Sequence, residues 1–229
     1  MKIHFLGDIH GCWGILDEVL CRYGDNRVIQ VGDMGIGFPL QYKTVDPAGE
    51  KATKMGDPDP LELTNRFSFI RGNHDNPDVC RKYPNYLGDF GIMRETGIFY
   101  VSGANSIDAN MRKIGIDWWD DEELSYTQFN QAIELYEVAK PRVVVSHEAP
   151  ASVTAHLTKF NHIRPSKTAI ALEAMLKVHK PDLWVFGHHH MVWRKQIDKT
   201  LFVCAATNQV VTFDVVPMKL GCCTPEMAR

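Results

Sequence analysis

Hydrophobic and polar positions follow two periods along this chain, and the switches between them predict its elements. Residues 2–6 read as a strand, after which Leu16, Val19, Leu20 and Tyr23 recur at i, i+3, i+4 and i+7, one face of a helix closed by Gly24. Further strands are predicted over 27–31 and 67–70, and a second β region follows with 97–102 as its clearest piece. Ser125 with Gln128 three residues on is a capping-box signature, and Phe129, Ala132, Ile133, Tyr136 and Ala139 continue one helical face up to Pro141. Residues 142–146 (RVVVS) read as a buried strand. A helix over 167–179 is capped by Ser166, turns Leu172, Met175, Leu176 and His179 inward and ends before Pro181, with a strand at 183–186. Three last β segments near 191–197, 201–205 and 209–216 make the C-terminal part antiparallel or mixed. Alternating strands and helices predict an α/β fold.

No internal repeat or low-complexity linker divides the chain, so one domain is expected over 1–216, followed by a tail at 217–229. The stretch 38–61 breaks the pattern: it gathers Pro39, Pro47, Pro58 and Pro60 with Asp46, Glu50, Asp57 and Asp59, the composition of an insertion or lid loop. Over 229 residues, 45% hydrophobic and 23% charged, the composition is that of an ordinary globular protein. Twenty-five Lys and Arg against 28 Asp and Glu give a net charge of −3, which argues against a surface built to coat nucleic acid or an anionic membrane. No apolar run approaches the roughly 18 residues of a membrane span. The first residues are strand-like and lack the apolar core of a signal peptide, so a cytoplasmic protein is expected. The six cysteines show no zinc spacing and most are expected to be buried thiols, with the Cys222 and Cys223 pair in the tail.

The candidate chemistry lies just beyond the apolar strands, where open α/β sheets place their sites. Asp8 and His10 follow the first strand, Asp33 the second, Asn73, His74 and Asp75 the third, His147 the RVVVS strand, and His188 and His190 the strand at 183–186. Residues two apart on an extended chain can face one centre, as Asp8 with His10 and His188 with His190. Asp8, His10, Asp33, Asn73, His147, His188 and His190 form a mixed nitrogen and oxygen set suited to Mn, Fe, Co, Ni or Zn. Seven donors exceed the needs of one ion and suit two octahedral-like ions sharing a carboxylate. Two divalent ions outweigh two aspartates, so an anionic substrate meets net positive charge, which favours a phosphate ester.

In order, GDIHG, GDMG, RGNHD, SHEAP and GHHH resemble the calcineurin-like metallophosphoesterase superfamily, and residues 103–124 resemble its small bacterial and phage-type members. The resemblance implies a four-layer αββα sandwich of two stacked mixed sheets flanked by helices. It also implies two divalent metal ions, manganese foremost, with Fe, Zn, Co or Ni as alternatives. Asp8, His10 and His190 would hold one ion and Asn73, His147 and His188 the other, with Asp33 bridging. In this family a metal-bridging hydroxide attacks phosphorus in line, and His74 takes the position of the proton donor to the leaving oxygen. Asp75 could orient or charge-stabilise His74, since a carboxylate fixes an imidazole's tautomer.

The protein Ser/Thr phosphatases of the superfamily carry G-D-x-V-D-R-G where this chain has GDMGIG, and RGNHE where it has RGNHD, so that branch is disfavoured. Arg71, just before Gly72, is a candidate phosphate contact or the partner of a neighbouring acid. Arg112 is a candidate phosphate ligand because its planar fork suits phosphate oxygens. Segment 103–124 is expected to lie over the centre and to contribute to substrate choice. The reading is a metal-dependent phosphoesterase acting on a mono- or diester, a small molecule or nucleotide. The alternatives are a Ser/Thr-phosphatase-like phosphomonoesterase, a nuclease and a non-catalytic scaffold on the same fold. A nuclease needs a basic groove that the overall charge does not suggest, and a scaffold needs degenerate ligands that are not seen. His189, between two candidate ligands, is expected to point away from them, and His4, His156, His162 and His179 to serve core or loop.

Overall fold

The computed structural model describes residues 1–23, 26–38, 66–157 and 164–216. The elements in chain order are β1 (Lys2–Leu6), α1 (Trp13–Tyr23), β2 (Arg27–Gln30), β3 (Phe67–Phe69), α2 (Pro77–Cys80), β4 (Phe90–Ile92), β5 (Phe99–Val101), α3 (Tyr126–Ala139), β6 (Val143–Ser146), α4 (Ala151–Leu157), α5 (Lys167–Val178), β7 (Leu183–Phe186), β8 (Trp193–Ile197), β9 (Thr200–Cys204) and β10 (Val210–Asp214). They build two sheets, one in the order β10-β1-β2-β3 and one in the order β4-β5-β6-β7-β9-β8. Strands β1 to β3 run parallel with β10 antiparallel at the edge. Strands β5, β6, β7 and β9 run parallel, flanked by antiparallel β4 and β8.

Successive strand side chains point to opposite faces, so strands that are apolar throughout need cover on both. Ile3, Phe5, Ile29 and Val31 of the first sheet meet Val143, Val145, Val185 and Val203 of the second, and this shared core stacks the sheets. The alternate positions Val144, Trp184, Phe186 and Phe202 face outward onto Phe129 and Tyr136 of α3 and Leu172 and Met175 of α5. On the other side Leu6, Val28, Phe67 and Phe69 pack with Leu16 and Val19 of α1. The layers are therefore helix, sheet, sheet, helix, as the resemblance implied.

The capping box at Ser125 is formed: its side chain accepts from the Gln128 N–H while the Gln128 side chain takes the Ser125 N–H. Ser166 caps α5 by accepting from Ala169 N. His179 departs from the expectation, because it sits past the end of α5 in extended backbone, and its ring bonds Pro141 O at 2.9 Å. The helices α2 and α4 escaped the sequence reading, being four and seven residues long, too short for the apolar repeat to show. Stretch 38–61 beyond Phe38, tail 217–229, Gly24 and His162 lie outside the described residues. No helix among the described residues is long and apolar enough to cross a membrane.

Candidate metal centre

Parallel strands in one sheet end on the same side, so β1, β2 and β3 deliver Asp8, His10, Asp33, Asn73 and His74 to one rim. Strands β6 and β7 deliver His147, His188 and His190 from the other sheet. The two rims are tied together by His147, whose Nδ1–H donates to Val31 O at 2.8 Å. With Nδ1 so used, His147 turns Nε2 to Asp33 Oδ1 and to Asn73 Oδ1, each at 3.3 Å. Asp8 Oδ2 lies 3.0 Å from His190 Nε2, and the His188 N–H donates to both Asp8 oxygens.

Asp33 stands at the middle: Oδ1 accepts from His74 N at 2.7 Å, and Oδ2 lies 3.2 Å from His74 Nδ1 and 3.9 Å from His10 Nε2. Two donor groups result, Asp8 with His10, Asp33 and His190, and Asp33 with His147 and His188, and in each the donor atoms all lie within 4.8 Å of one another. Asp33 belongs to both. Asn73 adds its amide oxygen beside the second group. The donor set therefore fits two divalent ions: the Nε2 atoms of His10 and His190 converge to 3.0 Å, an approach of like atoms that suits a cation held in common.

Seven non-glycine residues among those described have positive φ, and four of them are His10, Asp33, His188 and His190. Backbone in that region costs free energy and collects at functional sites. The glycines next to the donors answer a matching need, because a Cβ on Gly72 would collide with Asp33 Oδ1 and His147 Nε2, and one on Gly187 with Asp8 Oδ1.

The charges are strongly coupled. Burial opposes ionisation of Asp33, yet the His147 and His74 rings beside it outweigh burial and hold its carboxyl well below the usual range. Burial likewise opposes a charged His147, but Asp33 and Asp8 prevail and raise its pKa to about 10, so a cation bound at Nε2 displaces a proton. His188 goes the other way, since burial outweighs Glu148 and lowers its pKa to about 4, the neutral state in which imidazole ligates metal.

His74 lies where the sequence placed it, bonded through Nδ1 toward Asp33 and through Nε2 toward Arg112, with its ring centroid 4.9 Å from that of Phe38. Arg112 reaches the centre through this contact with His74. Asp75 Oδ1 accepts from Gly35 N and Ile36 N and its Oδ2 from Gly72 N and Met34 N, which makes it a clamp on the loop that carries Asp33. Arg71, only 1% exposed, donates from Nε to Asp89 Oδ1 and from Nη1 to Glu122 O. The neighbouring acid Asp89 is its ion-pair partner, the second of the two alternatives read from the sequence, and its bond to Glu122 O ties it to segment 103–124.

Three residues here were missed in the sequence. Glu148 lies 3.6 Å from His188 Nε2 and accepts from His189 Nε2 at 2.9 Å, so His189 turns aside from the metal donors, as expected, onto this carboxylate. Glu122 accepts from Ser106 N and Ser106 Oγ, both at 2.7 Å, and Ser106 Oγ accepts from Asn73 Nδ2 at 3.1 Å, which points Asn73 Oδ1 at the centre. The only signal for Glu148 was its place after His147 in SHEAP; the other two belong to a segment whose fold the sequence does not spell out.

Histidines and aspartates gathered where the rims of a helix-covered double sheet meet form a candidate metal centre. The chain belongs to the calcineurin-like phosphoesterase family, whose family model matches residues 1–192. Membership implies a phosphate-ester substrate and a centre that typically holds two metals. No curated protein matches the chain. Among solved structures, TT1561 of Thermus thermophilus has a similar fold, with a TM-score of 0.53 at 13% identity over 91% of this chain and 90% of that one. The GAP50 anchor of the Plasmodium inner membrane complex aligns with a TM-score of 0.49 at 12% identity, over 91% of this chain and 72% of its own. An archaeal phosphodiesterase aligns with a TM-score of 0.39 at 14% identity, over 90% and 84%.

Proposed function

We propose that this protein hydrolyses a phosphate ester at the centre around Asp33, with His74 as proton donor. The observation that carries this reading is the placement of Asp33 in both donor groups, with the His74 ring 3.2 Å from the same carboxylate. Asp8, His10 and His190 hold one divalent ion, Asn73, His147 and His188 the other, and Asp33 serves both. Bound there, two ions supply Lewis-acid polarisation of the phosphoryl oxygens and an activated water. Manganese is the proposed ion, since the donors are imidazole, carboxylate and amide with no thiolate.

The chain's own residues do the rest. His74 donates Nδ1–H to Asp33 Oδ2, which fixes its tautomer. When a bound phosphoryl group takes over the Arg112 guanidinium, His74 Nε2, the atom it had faced, takes up a proton from solvent and passes it to the leaving oxygen. Phe38 and Trp119, with ring centroids 5.8 Å apart, wall that side. Replacing His74 with Ala should lower kcat by about a hundredfold or more, the usual worth of a positioned acid, while manganese content stays unchanged. Steady-state kinetics with metal analysis on the same preparations checks this, and undiminished turnover would remove His74 from the mechanism.

The line from Glu122 through Ser106 to Asn73 predicts a second effect. In Ser106→Ala the Asn73 amide loses its anchor, and manganese affinity should weaken about tenfold, the lower end for an outer-shell partner. Calorimetric titration of the metal-stripped protein reads this directly; unchanged affinity would mean that Asn73 is not a ligand or needs no orientation.

A further inference from the structure

The cavity that opens on the donor cluster has a volume of about 660 Å³, within the range of small-molecule sites. From the cluster it extends along an apolar wall built by Ala151 and Ala155 of α4 and by Pro165 and Ala169 at the start of α5. Among the described residues two arginines line it, Arg112 and Arg164. Arg112 is the one that touches the cluster, through His74 Nε2.

Arg112 is not free to act as a full positive charge. The Nη2 atom that meets His74 also pairs with Asp108 Oδ1 at 2.7 Å, and Nη1 donates to Asp117 O. The guanidinium lies over the Phe38 ring, 5.7 Å from its centroid, and the side chain is 8% exposed. A charge pair this sheltered acts on a neighbouring anion as a dipole, far more weakly than an isolated cation would. The difference matters most for the ester that carries more charge. A phosphomonoester presents two negative charges and a phosphodiester one.

We infer that the Arg112–Asp108 pair sets the centre for phosphodiesters over phosphomonoesters, with the diester's second organic group laid along the apolar wall. This rests on the phosphoesterase reading above. In the reaction, a water oxygen forms a new bond to phosphorus and one P–O ester bond breaks. Its electron pair leaves with the departing oxygen, which takes the proton from His74, giving one alcohol and one phosphomonoester. Of the two protons the water brings, one restores His74 and the other goes to solvent, so the phosphomonoester departs as a dianion whose extra charge Asp108 opposes, without a second cleavage.

The test compares bis(p-nitrophenyl) phosphate with p-nitrophenyl phosphate, both with added manganese. The wild type should favour the diester in kcat/KM and release one equivalent of nitrophenol per diester. In Asp108→Asn the ratio should move toward the monoester by about tenfold, since one unit charge facing another across a few ångströms of partly solvated protein is worth that much or more. Inorganic phosphate, titrated calorimetrically into the manganese-loaded protein, should likewise bind about tenfold tighter to Asp108→Asn than to the wild type. Arg112→Gln guards against an indirect effect, because in that background Asp108→Asn should no longer shift the ratio. A wild type that prefers the monoester, or a ratio and phosphate affinity unmoved by Asp108→Asn, overturns this inference and leaves the hydrolase reading standing. A manganese-loaded wild type that turns over neither ester overturns both.

Discussion

Asp33→Asn should abolish nearly all phosphoesterase turnover while leaving the protein folded. One carboxylate belongs to both donor groups, so its charge acts on both metal positions at once. Loss of an outer-shell partner alone costs about 10- to 100-fold in metal affinity or activity, and a shared ligand should cost more than that upper figure. The fold should survive because Asn keeps an oxygen where Oδ1 accepts from His74 N. The charge removed is also one that burial opposes, and His147, whose raised pKa depends on it, can turn neutral in the variant. Metal content and kcat/KM measured together check the prediction, and an Asp33→Asn protein with wild-type turnover would place the chemistry elsewhere.

Asp75→Ala should lose most or all of its stability, a different outcome from that of a catalytic orienter. The carboxylate is fully buried and accepts four backbone N–H groups, those of Met34, Gly35, Ile36 and Gly72, at 2.7 to 3.2 Å. Burial and the nearby Asp33 charge push its pKa up to about 6 against the pull of these N–H groups, so its position is one the fold holds at a cost. Each buried donor left without a partner costs about 1–3 kcal/mol. Four of them together rival the total stability of a typical domain, about 5–15 kcal/mol. Asp75→Asn keeps one acceptor oxygen and should fall between Ala and the wild type. Urea unfolding of the three proteins checks the order. An Asp75→Ala protein with an unchanged midpoint and lost turnover would restore the part first expected of it beside His74.

What could be read in the sequence was what local chemistry controls. Strands such as 142–146 announce themselves because both faces are buried, and the ligand candidates stand out because each follows such a strand. The capping box at Ser125 needs residues only three positions apart. What escaped depends on pairs far apart in the chain. Arg71 meets Glu122 O across 51 residues, and Asp75 meets the Gly35 and Ile36 N–H groups across 40 and 39. No periodicity carries such pairings, so the bracing contacts of Arg71 and Asp75 could not be read from the sequence. Glu148 and Glu122 were passed over for the same reason: nothing local shows that a carboxylate will fold back onto an imidazole or a serine that holds a ligand.

The central claim, that the cluster around Asp33 hydrolyses phosphate esters with bound divalent metal, is tested most directly by stripping and restoring the metal. Protein treated with a chelator and desalted should show no hydrolysis of bis(p-nitrophenyl) phosphate. Added manganese should restore turnover in step with binding that saturates near two ions per chain, and Asp33→Asn should fail to recover. Turnover that persists in the metal-free protein, or returns equally in Asp33→Asn, would contradict the claim.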